Sequence, residues 1–452
     1  MKATNEFMNK RVLVLGLAKS GTAAAQLLRK LGAEVIVNDA KPYEQTETTK
    51  QLEKAGVALV CGGHPIELLD RNLALIVKNP GIRYDNPLVA EATKRQIPIV
   101  TEIELAAQIS EAEIIAITGS NGKTTTTTLI YEMLKESRRT PLIAGNIGTV
   151  ACQVAEEAKP DDIIVMEVSS FQLMGTIRFQ PKVAILLNIF DAHLDYHGTK
   201  DEYIDAKSRV FQQQTEADVL IYNADDPLVS KAVTQAKAQL LPFSRKRVLH
   251  HGLSLQNGAI YDRGQAIIEL EDIVLPGEHN LESIMAAVGA AVFMGATRER
   301  IRHVLQTFNG VEHRLQHVKT IAQRLFYNDS KATNILATKT ALAAFTQPTI
   351  LLAGGLDRGN SFDELVPSLR RVKTLITFGE TKEKLAAAAE KAGVERIRTA
   401  ERVADAVALA FEHSEEGDVI LLSPACASWD QYPTFEVRGQ EFVEAVSRLN
   451  RR

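Results

Sequence analysis

Residues 118–125 read Thr-Gly-Ser-Asn-Gly-Lys-Thr-Thr, a spacing of glycines, lysine and hydroxyls suited to holding phosphate. An apolar run at 114–117 leads into it, and Leu129, Ile130, Met133 and Leu134 follow at helical spacing over 126–135. Strand, glycine loop and helix N-terminus together aim main-chain N–H groups and the positive end of a helix dipole at an anion. Gly119 and Gly122 let the backbone approach, with Ser120 and Asn121 between them; Lys123 adds a point charge, and Thr124, followed by Thr125, offers a hydroxyl to Mg²⁺. The pattern is G-x-x-G-K-T, with Ile117 where the longer phosphate loop has its first glycine. These residues predict a nucleotide phosphate site.

Other residues with chemical potential lie further along. Glu167 lies at the end of an apolar strand within 162–172, where a carboxylate holds Mg²⁺ directly or through water against nucleotide phosphates. His193 follows the next strand and is a further metal-site candidate. Lys207 falls on a predicted helix over 201–212, and sequence physics alone reads it as a solvated lysine. His313 and His317 are spaced i, i+4, which would set two imidazoles on one helix face. No third ligand of the right kind stands nearby, so zinc is rejected. Cys426 has no base beside it and reads as a small buried thiol.

These residues need elements to position them. Residues 11–39 give a strand, a Gly16–Gly21 turn, a helical pattern through Leu31 and a strand ending at Asp39, the outline of a dinucleotide-binding, Rossmann-like βαβ unit. Ala18 stands where the middle glycine of G-x-G-x-x-G belongs, which favours a modified diphosphate contact over standard NAD binding. Strand-like runs at 75–78 and 97–100 extend this region, and the first ends in the turn Asn79, Pro80, Gly81. Strands and helical stretches then alternate through 183–188, while 245–275 read as short strands and turns without assigned function. A third α/β region begins near Val311. In it Asp329, Lys331, Arg358 and Ser428 follow predicted strands, a grouping suited to a charged small molecule, with Arg358 able to grip a carboxylate in bidentate fashion. The expected architecture is α/β in three domains, 1–102, 103–310 and 311–452. The first and third are Rossmann-like, and the central one has a phosphate loop and a parallel sheet whose C-terminal edge gathers ligand groups.

Composition narrows the classes. A chain of 452 residues with 45% hydrophobic and 24% charged residues reads as an ordinary globular protein of several domains. A net charge of −4 leaves no basic excess for general nucleic-acid binding. Three separated cysteines give neither a disulfide framework nor a zinc spacing, which fits a reducing compartment. The apolar run at 12–15 is too short for a signal-peptide core, and no stretch is long enough for a membrane span. The expected location is the cytoplasm.

Taken together the motifs resemble the ATP-dependent Mur ligases of bacterial cell-wall synthesis, along nearly the whole chain. They are residues 118–125, Met166-Glu-Val-Ser-Ser-Phe-Gln-Leu173, Glu278-His-Asn280, Glu312-His-Arg314 and Asn328-Asp-Ser-Lys-Ala-Thr-Asn334. The stretch from Leu422 to Tyr432 is similar to that of the D-glutamate-adding branch. The resemblance implies that ATP phosphorylates the terminal carboxylate of UDP-N-acetylmuramoyl-L-alanine. The amine of D-glutamate then displaces phosphate through a tetrahedral intermediate.

By the same resemblance Lys123 and Thr124 hold phosphates and Mg²⁺, and Glu167 and His193 are metal-site residues. Asn146 lies near the reacting phosphoryl group and the UDP substrate. Lys207 matches a lysine that becomes carbamylated to serve a second Mg²⁺. Ser283, Arg314 and Asp329 match nucleotide contacts, with Ser283 where relatives often have asparagine. Ser20, Asp39, Lys41, Asn79, Pro80 and Gly81 fall where UDP is held. Thr333, Arg358, Ser428, Trp429 and Phe435 match the D-glutamate pocket, where Arg358 replaces lysine in some relatives and Trp429 replaces a smaller apolar residue. The resemblance also implies a monomer; charge and hydropathy predict no nucleic-acid or membrane partner, and binding sites on three domains predict a closing motion that shuts water away from the acyl phosphate. An NAD-dependent oxidoreductase is disfavoured by Ala18, and a non-catalytic nucleotide binder by the joint presence of Lys123, Glu167, His193 and Lys207.

Overall fold

The computed structural model describes residues 1–190 and 194–449. His193 therefore lies outside the described residues. Contacts divide the chain into two compact units, residues 1–272 with 281–304, and residues 273–280 with those from 305 onward.

The first unit holds two sheets. Strands β1 (Arg11–Leu15), β2 (Glu34–Asp39), β3 (Ala58–Cys61), β4 (Leu73–Lys78) and β5 (Ile99–Val100) form a parallel sheet in the order β3-β2-β1-β4-β5. The order turns back between β1 and β4, and an open α/β sheet leaves a crevice beyond its strand ends at such a point. The second sheet contains β6 (Glu113–Thr118), β7 (Thr140–Gly145), β8 (Asp162–Glu167), β9 (Val183–Leu186), β10 (Val219–Asn223), β11 (Gln239–Ser244), β12 (Leu253–Gln256), β13 (Ala259–Asp262) and β14 (Gln265–Glu269). Its order is β14-β13-β12-β11-β10-β9-β6-β8-β7, parallel except for the hairpins of β13 and β14. Residues 114–117 and 163–166 are almost wholly buried. Continuous apolar runs of this kind belong to strands covered on both faces, as parallel sheets require.

The helix after the phosphate loop spans Lys123–Leu134 and so starts three residues before the expected 126. Its threonine run has weak helix propensity, which hid the start. Packing supplies what propensity lacks: Thr124, Thr126, Thr127, Leu129, Ile130, Met133 and Leu134 are all buried.

The second unit carries β15 (Gln316–Ile321), β16 (Arg324–Asn328), β17 (Thr349–Gly354), β18 (Val372–Phe378), β19 (Arg396–Thr399) and β20 (Val419–Leu422), in the order β15-β16-β20-β17-β18-β19. Only β15 runs antiparallel to its neighbour. Apolar cores cover both faces, one with Leu351, Leu375 and Leu421, the other with Ile350, Ile376 and Ile420. The histidine pair is a correction. His313 sits in a turn with φ +61°, and His317 lies in β15. The β-branched Val318, Thr320 and Ile321 suit a hairpin strand, so no shared helix face exists for the two imidazoles. Among the described residues no helix is long and apolar enough to cross a membrane.

Candidate nucleotide and ligation site

Register brings the phosphate loop and the carboxylate together. Strand β8 lies beside β6 with Ile117 opposite Glu167, and on its other side Gly145 of β7 is also opposite Glu167. Glu167 thus emerges between two loops. Its Oε2 accepts a hydrogen bond from Thr124 Oγ1 at 2.8 Å, and its Oε1 accepts one from Asn146 Nδ2 at 2.8 Å. The Asn146 N–H donates to the Glu167 carbonyl at 2.9 Å. Glu167 is 2% exposed, which rules out a solvated edge glutamate and makes a cation at its oxygens favourable.

The loop is held from several sides. Asn188, just after β9, accepts from the Asn121 N–H through Oδ1 at 2.9 Å, and its carbonyl accepts from the Ser120 N–H at 3.0 Å. Ser120 Oγ lies 3.0 Å from the Tyr203 hydroxyl. Lys123 Nζ donates to the carbonyls of Gly119 and Ser120 at 2.9 and 3.0 Å. Gly122 has φ +82°, and a Cβ there would stand 2.6 Å from Ser283 Oγ. Buried Ser283 is therefore packed against the loop, and Thr125 sits half-buried in the first helical turn.

Lys207 corrects the sequence reading. It is on the helix Lys200–Gln212 but only 1% exposed. Its Nζ donates to the Gly119 carbonyl at 2.9 Å and lies 4.5 Å from the Tyr203 ring centroid. Burial, and then the Lys123 charge, push its pKa well below the usual lysine value.

At the crevice between β1 and β4 lies a cavity of about 790 Å³, whose lining includes Gly16, Asp39, Lys41, His64, Asn79 and Ile82. Asp39 accepts main-chain N–H bonds from Leu17 at 2.7 Å and Lys41 at 2.9 Å. Asn79 Nδ2 donates to Ser20 Oγ at 3.1 Å, and its Oδ1 accepts from the Gly81 N–H at 3.0 Å, across Pro80.

In the second unit Asp329, just past β16, is buried, accepting from Ser423 Oγ at 2.9 Å and the Leu315 N–H at 3.2 Å. Burial raises its pKa to about 7 against these bonds and the nearby Arg314 charge. Arg314 Nε is buried without a hydrogen-bond partner among the described residues, and so is Ser428 Oγ. The Arg358 guanidinium stacks 5.1 Å from the ring centroid of Trp429, which is 65% exposed. Lys331 Nζ lies 5.3 Å from the Phe435 ring, and Thr333 is half-buried two residues on. Arg358 is thus solvent-exposed, whereas Asp329 and Ser428 are buried.

Sequence profiles agree with this layout of sheets and loops. Residues 10–101 match the Mur ligase MurD-like N-terminal domain, 117–291 the Mur ligase middle domain, and 313–426 the Mur ligase glutamate ligase domain. A UDP-N-acetylmuramoylalanine–D-glutamate ligase of Halalkalibacterium halodurans is 61% identical over 449 residues, covering 99% of this chain and 100% of that one. The chain belongs to the Mur ligase family. A second relative of this Mur ligase, with the same description in Geobacillus kaustophilus, is 59% identical over 99% of this chain and 100% of its own. The fold is shared with UDP-N-acetylmuramate-alanine ligase MurC of Thermotoga maritima (TM-score 0.60, 19% identity, 97% of this chain and 99% of that one). It is also shared with MurF ligase of the same organism (TM-score 0.58, 17% identity, 98% and 96%).

Three residues of this Mur ligase escaped the sequence reading. Asn188 and Tyr203 brace the phosphate loop. Arg438, fully buried, donates to the carbonyls of Ser330 and Cys426 at 2.9 and 3.0 Å and to Ser330 Oγ at 3.1 Å. It ties together loops that follow β16 and β20, and burial pushes its pKa down to about 10. An arginine in an amphipathic helix carries no signal of burial; the helical spacing of Tyr203, Ala206, Val210 and Phe211 around Lys207 did carry one.

Proposed function

We propose that this Mur ligase joins D-glutamate to the terminal carboxylate of UDP-N-acetylmuramoyl-L-alanine, converting ATP to ADP and phosphate, as a cytoplasmic monomer making cell-wall precursor. The observation that carries the reading is the Thr124–Glu167–Asn146 hydrogen-bond chain beside the phosphate loop, in a chain 61% identical to a D-glutamate ligase. By sequence, residues 1–102 serve the UDP moiety, 103–310 ATP, and 311–452 the amino acid.

In the first step a substrate carboxylate oxygen attacks the γ-phosphorus, and the bond to the β-phosphate oxygen breaks. Lys123 and the N–H groups of residues 122–125 neutralise the charge that moves onto ADP. Thr124 and Glu167, with His193, would hold Mg²⁺, which would supply positive charge against the phosphates. Asn146 orients Glu167 and borders the transferred group. In the second step the uncharged amine of D-glutamate attacks the acyl carbon, and the carbon–oxygen bond to phosphate breaks as the amine loses its proton. Asp39, Lys41, Ser20 and the Asn79–Pro80–Gly81 turn position the UDP end. Ser283, Arg314 and Asp329 serve the nucleoside. Arg358 pairs with a glutamate carboxylate over Trp429, Ser428 Oγ supplies a buried donor, and Thr333 and Phe435 complete the pocket. Burial, and then the Lys123 charge, lower the pKa of Lys207, which favours the uncharged amine, the form that adds CO₂. A carbamate there, formed with loss of one proton, would serve a second Mg²⁺.

The test follows one oxygen atom. With ¹⁸O in the alanyl carboxylate, this mechanism delivers one ¹⁸O into the released phosphate. Phosphate free of label would overturn it.

A further inference from the structure

Lys78, the last residue of β4, is 1% exposed. It folds beneath the turn that follows it. Its Nζ donates to the Ile82 carbonyl at 2.7 Å and, at 3.4 Å, to the carbonyls of Asn79 and Pro80. The Tyr196 hydroxyl, 3.3 Å from Nζ, lies 3.0 Å from the Pro80 carbonyl and 2.9 Å from that of Ile82. The Tyr84 ring, 4.8 Å away, covers the ammonium. A turn whose carbonyls point inward needs buried donors for them. A lysine supplies three and a tyrosine one. With the inner side satisfied, Asn79 spends its amide on Ser20 and Gly81 along the cavity, and its Cβ packs where a Cβ on Gly16 would lie 3.0 Å away.

We propose that Lys78 and Tyr196 act as a positioning pair, fixing the 79–82 turn in the shape that receives the UDP-sugar substrate and tying that turn to the 194–197 helix. The proposal rests on the reading that the turn holds this substrate. Tyr196 belongs to the helix Leu194–His197, directly after His193, and its ring meets Phe171 edge-on at 4.5 Å.

Steady-state kinetics of the full chain test it, varying each substrate in turn. Lys78→Met fills the same space without donors, and Tyr196→Phe keeps the ring against Phe171. Lys78→Met is expected to raise KM for UDP-N-acetylmuramoyl-L-alanine about tenfold, the scale of a lost buried charged hydrogen bond. KM for ATP and D-glutamate stays within about twofold. Tyr196→Phe moves the same KM by less, and the double variant shows less than the product of the two. Asn79→Ala separates the two layers of argument. If Asn79→Ala raises that KM and Lys78→Met and Tyr196→Phe do not, the positioning pair is wrong. If Asn79→Ala also leaves it unchanged, the underlying assignment of the turn falls and takes the pair with it. Equal loss in all parameters from both Lys78→Met and Tyr196→Phe marks a merely structural role and overturns the proposal. Should Lys78→Met fail to fold, Tyr196→Phe alone decides.

Discussion

Glu167 has both carboxylate oxygens engaged, by Thr124 and by Asn146, so its orientation is set before any phosphate arrives. Removing the charge while keeping the shape isolates its electrostatic part. Glu167→Gln is expected to lower kcat by about 10²–10³-fold, the loss typical of one preorganised electrostatic group, with thermal stability little changed. A variant retaining near-parental kcat would contradict the role. Glu102 offers a pH test. It is buried, accepts from the Cys152 N–H at 3.0 Å, and burial raises its pKa to about 7. The folded chain then keeps a proton that the unfolded chain sheds near pH 4.5, so stability falls as pH rises from about 4.5 to 7, by roughly 3 kcal/mol at most. Glu102→Gln removes this dependence. Its Tm relative to the parent is expected to rise between pH 5 and pH 8, and a difference flat with pH would refute the argument. The position of Glu167 at the end of an apolar strand was legible from the run that precedes it, and its role there is what Glu167→Gln tests. The burial of Lys207 was missed because charge argues for solvent, although the apolar stripe of its helix is a signal that could have shown it.

The phosphate-binding element depends on one backbone conformation. Gly122 caps its helix at φ +82°, a region that costs an L-residue about 1–2 kcal/mol, and a Cβ would meet Ser283 Oγ. Gly122→Ala should lower stability by about that amount and raise KM for ATP. An unchanged KM would show that the loop does not need this conformation. The loop and its strand were plain in the sequence because glycines and a lysine at fixed offsets state a local geometry. The helix start was not, because packing overrides the weak propensity of threonine. His313 and His317 misled for a related reason: spacing of four fits a helix, but the β15 hairpin is decided by pairing with β16, which two histidines cannot report.

At the scale of the molecule, the residues assigned to the UDP moiety lie in the first compact unit and those assigned to D-glutamate in the second. Separate cores make unfolding in more than one step the expectation. A ligand bound only to one folded unit stabilises that unit by mass action, about 2.7 kcal/mol at a hundred times Kd. Calorimetry with UDP-N-acetylmuramoyl-L-alanine alone should raise the transition of the first unit and leave the other in place. A shift confined to the second unit would reverse the assignment. Three α/β regions could be read from alternating strand and helix patterns, whereas the grouping into two units reflects long-range packing that no local pattern encodes.

The most direct test of the central claim is phosphate release with ATP, Mg²⁺ and UDP-N-acetylmuramoyl-L-alanine against D-glutamate, L-glutamate, L-lysine and diaminopimelate. The account predicts release with D-glutamate alone. Release with another of these acceptors in place of D-glutamate would contradict it.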